Sequence, residues 1–550
     1  MPADLNVRNV LELDGVTVSA DGRTTPILDG VSCALKATEI LGVVGETGAG
    51  KSILARSLIG LLPPGVSMVR GEIRLEGRPL STFEGEERRH LRGGRIALIG
   101  TNAKALLDPV APVGSQIARV LRAHEAISSG AADTRAVDIL RDVGITDPER
   151  RAKAYPHELS GGVAQRVVIA MALVGNPQVL LADDATLGLD ATVQAQVLDM
   201  LVRRCRERGL SVILITHDLG IVRHYCDRVA VIRNGALIET RDVTPFLRAP
   251  VDPYSRALLD SARARPTPAP ALRGVGERPL VEARRLVKIY GGPFGHQVQA
   301  LDRASFQIRP RETLALVGES GSGKTTAGQC LLGLTSLTSG EILFDGQRLS
   351  GLSQHRFRPF RRRLQMVFQE PYVALNPRWR ISDLVGEGFR LLDPMTRGER
   401  ARRIAALLDA VRLPSSLASA FPHELTAGEQ KRIGIARALA TDPDLVVFDE
   451  PTTALDIRLR AQIIDLIRDL QARRGMAALF ITHDLNSVRS LAHNVAVMLN
   501  GRIIEYGATE QIFAAPQDPY TRKLLSAELT IDHDRGSEGE PASSPAAVLQ

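Results

Sequence analysis

Hydrophobic and polar positions along this chain recur in a few patterns. Short alternating runs such as LELDGVTV (11–18) put every second residue on one face of a half-buried strand. Continuous apolar runs, among them VLLAD (179–183), SVILITH (211–217) and LVVFD (445–449), suit strands buried on both faces of a parallel sheet. Helix-forming stretches lie between them. The pattern predicts an α/β fold, with a mostly parallel core carrying a smaller antiparallel β-layer.

The whole pattern is written twice. GETGAGKS (45–52) returns as GESGSGKT (318–325), YPHELSGG (155–162) as FPHELTAG (421–428), and ILITHDL (213–219) as LFITHDL (479–485). APVDPYSRALLDSA (249–262) returns as APQDPYTRKLLSAE (515–528). The order is kept and the offset falls only from 273 to 266 residues, which marks a tandem duplication of a domain of roughly 250 residues. The copies are assigned to 8–262 and 280–529. Between them, 263–279 is rich in Pro, Ala and Arg and reads as a semi-rigid linker. The polar stretch 530–550 reads as a disordered tail.

Composition narrows the class. With 550 residues, 44% of them hydrophobic and 24% charged, the chain has the balance of a multidomain soluble protein. No apolar run approaches the roughly 18–20 residues of a membrane span. The N-terminus lacks a signal pattern, so a cytoplasmic location is expected. The net charge of +7 comes mostly from arginines spread along the chain, with one cluster at RFRPFRRR (356–363). With only 4% aromatic residues to stack bases, this reads as a solvated basic surface, and no nucleic-acid partner is expected. The four cysteines are scattered without CxxC spacing, which argues for free thiols rather than a metal site.

The candidate chemistry starts at the two GxxxxGK[ST] segments. Each follows an apolar strand and precedes a helix, the context in which backbone N–H groups cradle phosphate oxygens. The first offers Gly45, Thr47, Gly48, Gly50, Lys51, Ser52 and Ile53. The second offers Gly318, Ser320, Gly321, Gly323, Lys324, Thr325 and Thr326. The lysines would reach β- and γ-phosphates, and Ser52 and Thr325 would hold Mg²⁺. Each copy also ends a buried strand in an acid pair, Asp183-Asp184 and Asp449-Glu450. The first acid can join the Mg²⁺ shell and the second can accept a proton from attacking water. His217 and His483 close another strand in the same frame.

These residues, with LSGG ahead of an Arg-containing helix, resemble the nucleotide-binding domains of ABC transporters. The resemblance implies that the two domains pack head to tail. Each ATP, with Mg²⁺, would lie between the phosphate loop of one domain and the signature turn of the other, and one chain would supply both domains. It also gives Gln369 the role of a Mg²⁺ ligand that relays nucleotide state to a membrane partner. ALNPRW (374–379), PHELSGG and the two DPY segments further resemble the ATPase subunits of dipeptide, oligopeptide and nickel importers. From this follow two transmembrane permease subunits, a solute-binding protein and a peripheral position on the cytoplasmic face of the plasma membrane. Peptides are the expected cargo, with nickel or haem as alternatives. Many such relatives hold an iron–sulfur centre through cysteines after the DPY segment. None stands between Cys226 and Cys330 here, so no such cluster is expected. A soluble tandem ATPase acting on ribosomes is the competing reading, but its domains would be joined by a long charged helical pair.

The departures from the family pattern sort by composite site. The site on the first phosphate loop lacks an adenine-stacking aromatic near Ala20. It has Thr101 in place of the glutamine and Asp184 in place of the catalytic glutamate, and it faces Thr426-Ala427-Gly428-Glu429. The site on the second loop has Tyr290, Gln369, Asp449, Glu450 and His483, facing Ser160-Gly161-Gly162. There only Val163 departs, where Gln is usual. One hydrolytic site and one nucleotide-holding site are expected.

Overall fold

The computed structural model describes residues 8–263 and 278–528, except 102, 187–188, 292–296, 370–373, 392–393 and 454. The stretches read as linker and tail therefore lie almost wholly outside the described residues. The helix Pro253–Arg263 runs one residue into the stretch assigned to the linker.

Each copy builds the same two sheets. In the first, an antiparallel four-stranded sheet is ordered Leu28–Lys36, Asn9–Ala20, Val66–Leu75, Arg78–Pro79. Beside it lies a six-stranded sheet ordered Ala236–Asp242, Arg228–Arg233, Ile40–Val44, Ser211–Ile215, Val179–Asp183, Ile96–Ile99. Its strands are parallel apart from the antiparallel edge Ala236–Asp242. The second copy repeats this with Leu364–Val367, Leu445–Asp449, Ala477–Ile481, Thr313–Val317, Asn494–Leu499 and Arg502–Ala508.

The continuous apolar runs became the central strands because both of their faces are covered. Every residue of Ile40–Val44, Val179–Asp183, Ser211–Ile215, Leu445–Asp449 and Ala477–Ile481 is buried. One face packs on the antiparallel layer, with Leu11, Val16, Leu41, Leu181 and Ile213 in one cluster. The other packs on helices, with Ile117, Leu140, Val167, Leu180 and Leu214. Each such side chain stabilises the fold by about 1.5–3 kcal/mol through burial.

This packing positions the chemistry. In-register parallel pairing sets Asp183 beside Ile215, and Asp449 beside Ile481, at one end of the sheet. The phosphate loops emerge from the neighbouring strands Ile40–Val44 and Thr313–Val317. Ligands of open α/β sheets bind at this carboxyl edge.

Two surface expectations are refined. The arginine cluster at 356–363 is not simply solvated, because Arg363 pairs with Asp345 and Asp444 and lies 4.6 Å from the Phe344 ring centre. All four cysteines are free, and burial pushes the Cys205 thiol up to about 12, which leaves it unreactive. Among the described residues no helix is long and apolar enough to cross a membrane.

Candidate functional site

The phosphate loops wrap as their glycines allow. Gly318 sits at φ 148° and Gly323 at φ 105°. A Cβ on Gly318 would stand 2.1 Å from the Met498 carbonyl oxygen, and one on Gly323 would stand 2.3 Å from that of Ala300. Only glycine fits both the twist and the gap. Gly45 and Gly50 repeat the geometry at φ 156° and 101°. Lys324 folds back over its loop, donating to the carbonyls of Gly318 at 2.8 Å and Glu319 at 2.7 Å. Lys51 does the same to Gly45 at 2.7 Å and Glu46 at 2.9 Å. Burial pushes both ammonium groups below the usual lysine range, opposed by Glu450, Asp190 and Asp449 at Lys324 and by Asp184, Asp456 and Asp183 at Lys51. Gly48, Gly321, Ile53 and Thr326 lie in these loops and helices as the motif requires.

The acid pairs sit beside them. The Thr325 hydroxyl donates to Asp449 Oδ1 at 3.0 Å, and Ser52 lies near enough to Asp183 to hold its carboxyl down. Burial raises the Asp449 carboxyl to about 6, and that of Asp183 is raised by the same cause. Asp183 Oδ1 is buried with no hydrogen-bond partner among the described residues. A buried carboxylate short of partners, next to a hydroxyl, fits a hard cation such as Mg²⁺.

The second acids share a backbone strain but differ in their company. Asp184 and Glu450 both stand at φ 46°, a conformation non-glycine residues hold at functional sites. Glu450 accepts from Gln369 Nε2 at 2.9 Å and Thr453 Oγ1 at 3.0 Å, and lies 3.3 Å from His483 Nδ1. Burial pushes its carboxyl up, but His483, Thr453 and Lys324 outweigh that, and the net shift is below the usual glutamate range. Asp184 keeps its histidine, with His217 Nδ1 at the same 3.3 Å. It has neither of the other donors: Thr101 replaces Gln369, and Leu187 replaces Thr453 in the aligned sequence. Thr101 and Gln369 each stand two residues past their strand, which supports that alignment.

The glutamine loop is also anchored differently. The Gln369 carbonyl accepts from Lys431 of the helix Ala427–Leu439. The residue aligned with Lys431 is Gln165, whose Nε2 is buried with no partner among the described residues.

The signature turns differ in a way the sequence reading missed. Ser160 Oγ caps its helix by accepting from Val163 N at 3.4 Å. Thr426 instead forms a reciprocal capping box with Glu429. Its hydroxyl and its backbone N–H both donate to Glu429 Oε2, at 2.7 and 2.8 Å. Glu429 thus folds onto the helix end rather than standing free beside it. The helix end that would bind an anion already holds one. Ala427 stands where the other signature has Gly161, and the extra Cβ does not crowd the protein. A Cβ built on the matching Gly161 meets no protein atom within 4 Å, so crowding there concerns a ligand alone.

Three further contacts were not anticipated. Asp190 Oδ2 of the N-terminal half accepts from Ser320 N of the C-terminal loop at 3.4 Å. Asp456 Oδ2 accepts from Thr47 N at 3.2 Å in the mirrored direction, and Arg458 pairs with Glu46. Each half therefore caps the phosphate loop of the other. The repeated Leu-Asp of 189–190 and 455–456 carried that signal. The tyrosines of the DPY segments reach the same loops within their own halves. Tyr254 Oη accepts from Glu46 N and Tyr520 Oη from Glu319 N, both at 3.1 Å. Tyr290 is 39% exposed on the strand Val281–Gly291, with the Lys288 ammonium 4.7 Å from its ring centre.

Comparison with known proteins agrees with this geometry. The ABC transporter family model matches residues 28–187 and 301–453. The model for the oligopeptide/dipeptide transporter C-terminal region matches 504–549. A peptidoglycan transport ATP-binding protein, YejF of Agrobacterium fabrum, is 39% identical over 96% of this chain and 98% of its own. The glutathione import ATP-binding protein GsiA of Escherichia coli K12 is 39% identical over 95% of this chain and 90% of its own. With both cassettes matched and each phosphate loop capped by the opposite half, the chain belongs to the ABC transporter family, as an ATPase carrying two cassettes in one polypeptide.

Proposed function

We propose that the chain is the energising subunit of an importer of peptides or peptide-containing solutes, and that its two composite sites are unequal. The observation that carries the inequality is the environment of the second acid: among the described residues, three side-chain partners at Glu450 and one at Asp184. The cargo class rests on the oligopeptide/dipeptide C-terminal match and on relatives named for peptidoglycan and glutathione transport. Both of those solutes contain peptide.

In this reading ATP on the C-terminal loop is the substrate that turns over. Lys324 and the loop amides hold its phosphates, Tyr290 stacks on the adenine, and Ser160, Gly161 and Gly162 close the site from the other half. Mg²⁺ would be held by Thr325 and Asp449 with the Gln369 loop at its edge, and when bound it neutralises charge building on the phosphate oxygens. Glu450 stays ionised at neutral pH because its net shift is downward, so it can take a proton as water attacks phosphorus and the bond to the β-phosphate breaks. His483 fixes Glu450 from behind through Nδ1. On the N-terminal loop, Lys51, Ser52 and Asp183 retain the means to bind nucleotide, while Asp184, Thr101 and the sealed turn at Thr426–Glu429 do not support hydrolysis.

The chain then acts as a peripheral protein on the cytoplasmic face of the plasma membrane. Two transmembrane permease subunits anchor it, and a solute-binding protein delivers cargo. Purifying the tagged full-length chain from its own membranes tests this. Two permease polypeptides should come with it, and its deletion should stop uptake of labelled peptide. Recovery with ribosomes, and uptake unchanged, would replace this reading with the soluble tandem ATPase.

The Tyr520 contact gives a smaller prediction. Tyr520→Phe removes one hydrogen bond to the C-terminal loop, worth about 1 kcal/mol. Nucleotide affinity at that site is expected to fall about fivefold, read by titration with a fluorescent ATP analogue. Unchanged affinity would show that the hydroxyl does not shape the loop.

A further inference from the structure

His217 and His483 are treated differently by the opposite half, and the residue responsible is Arg460. It lies in the helix Ile457–Arg474 of the C-terminal half. Its Nη2 stands 3.3 Å from Nε2 of His217 in the N-terminal half. Its Nη1 stands 3.3 Å from Asp484 Oδ2, a carboxylate held low by Arg460 and Ser487 against the upward push of desolvation. The guanidinium is thus fixed from one side by a largely covered acid and presented on the other to the imidazole.

The chemistry of the three groups leaves one arrangement. A guanidinium can only donate, and the Asp184 carboxylate on the far side of the ring can only accept. The ring between them must carry its proton on Nδ1 and offer the Nε2 lone pair to Arg460. No N–H of His217 is left to donate to a terminal phosphate. The aligned residue in the first copy is Gln194, whose amide donates instead to Thr186 Oγ1 of its own half at 3.0 Å. Among the described residues no hydrogen bond is made to Nε2 of His483, whose Nδ1 faces Glu450.

We propose that Arg460 is a positioning residue that silences the N-terminal phosphate-loop site in trans, by engaging Nε2 of His217 and denying it to the nucleotide. It acts through His217 and makes no contact with substrate itself. The inference rests on the unequal-site reading above and adds to it a cause located in the other half of the chain.

The test uses the full-length protein and Mg·ATP. In a Glu450→Gln background only the N-terminal loop can turn over. Adding Arg460→Gln, the residue type the first copy uses, is expected to raise that residual turnover about tenfold with KM unchanged. The rise stays below the 10²–10³ of a fully restored donor because Asp184 is still a methylene short. A gain of activity is not a result that mere loss of packing can give. Residual turnover that does not rise would overturn the proposal. Arg460→Gln also leaves Asp484 without its cation, and if that variant does not fold the reciprocal change decides. Gln194→Arg in the otherwise unchanged chain brings a guanidinium toward His483 and is expected to lower kcat at least tenfold with KM held. An unchanged kcat would reject the idea. Failure of the unequal-site reading has a separate signature, equal losses from Glu450→Gln and Asp184→Asn alone.

Discussion

Glu450→Gln is expected to lower steady-state ATP turnover by about a thousandfold, while Asp184→Asn changes it by less than about threefold. A positioned general base contributes roughly 10²–10⁴-fold. Gln keeps the size and can still bond Gln369, Thr453 and His483, so the loss isolates the missing proton acceptor. The strand end survives, because Glu450 bonds Ile481 through its backbone N–H, which the substitution leaves in place. Asp184 already stands about one bond short of the glutamate position. A displacement of about 1 Å can itself cost roughly a hundredfold, so little activity remains for Asp184→Asn to remove. Coupled phosphate release with each variant measures both. Equal losses would mean that the two sites share the work.

Lys324→Ala is expected to lower kcat/KM for ATP by a hundredfold or more. The ammonium holds two loop carbonyls and reaches the Ser322 hydroxyl at 3.3 Å. A charge-assisted hydrogen bond contributes about 1.5–3 kcal/mol, and its loss alone corresponds to a factor of roughly ten to a hundred. Direct charge on the phosphates is lost as well. Lys51→Ala removes the same kind of contact from the other loop, yet turnover should stay within about fivefold. What it should abolish is one of the two nucleotides retained per chain after gel filtration. Loss of turnover by Lys51→Ala equal to that of Lys324→Ala would contradict the division of labour.

Much of this was legible in the residues, for reasons of range. The phosphate loops are local devices, and GxxxxGK[ST] after an apolar strand fixes their shape within eight residues. The buried parallel strands announced themselves as unbroken apolar runs such as LVVFD, and these became Leu445–Asp449. Thr101 and Asp184 stood out because a duplicated chain supplies its own comparison. The capping box at Thr426 and Glu429 was also legible, since Thr and Glu three apart ahead of an apolar run is its signature. The rest depends on packing between distant segments. Tyr520 meets a loop 201 residues away, and Arg460 meets a histidine 243 residues away in the other half. No periodicity carries such contacts. Within the repeat, mismatches such as Arg460 against Gln194 hinted that the two faces differ.

Vanadate trapping with a photoreactive azido-adenine nucleotide tests the central claim most directly. Peptide mapping of the full-length chain after turnover and cross-linking should find the trapped label beside Tyr290, in the C-terminal half. Label trapped equally beside Ala20 and Tyr290, or mainly in the N-terminal half, would contradict the account.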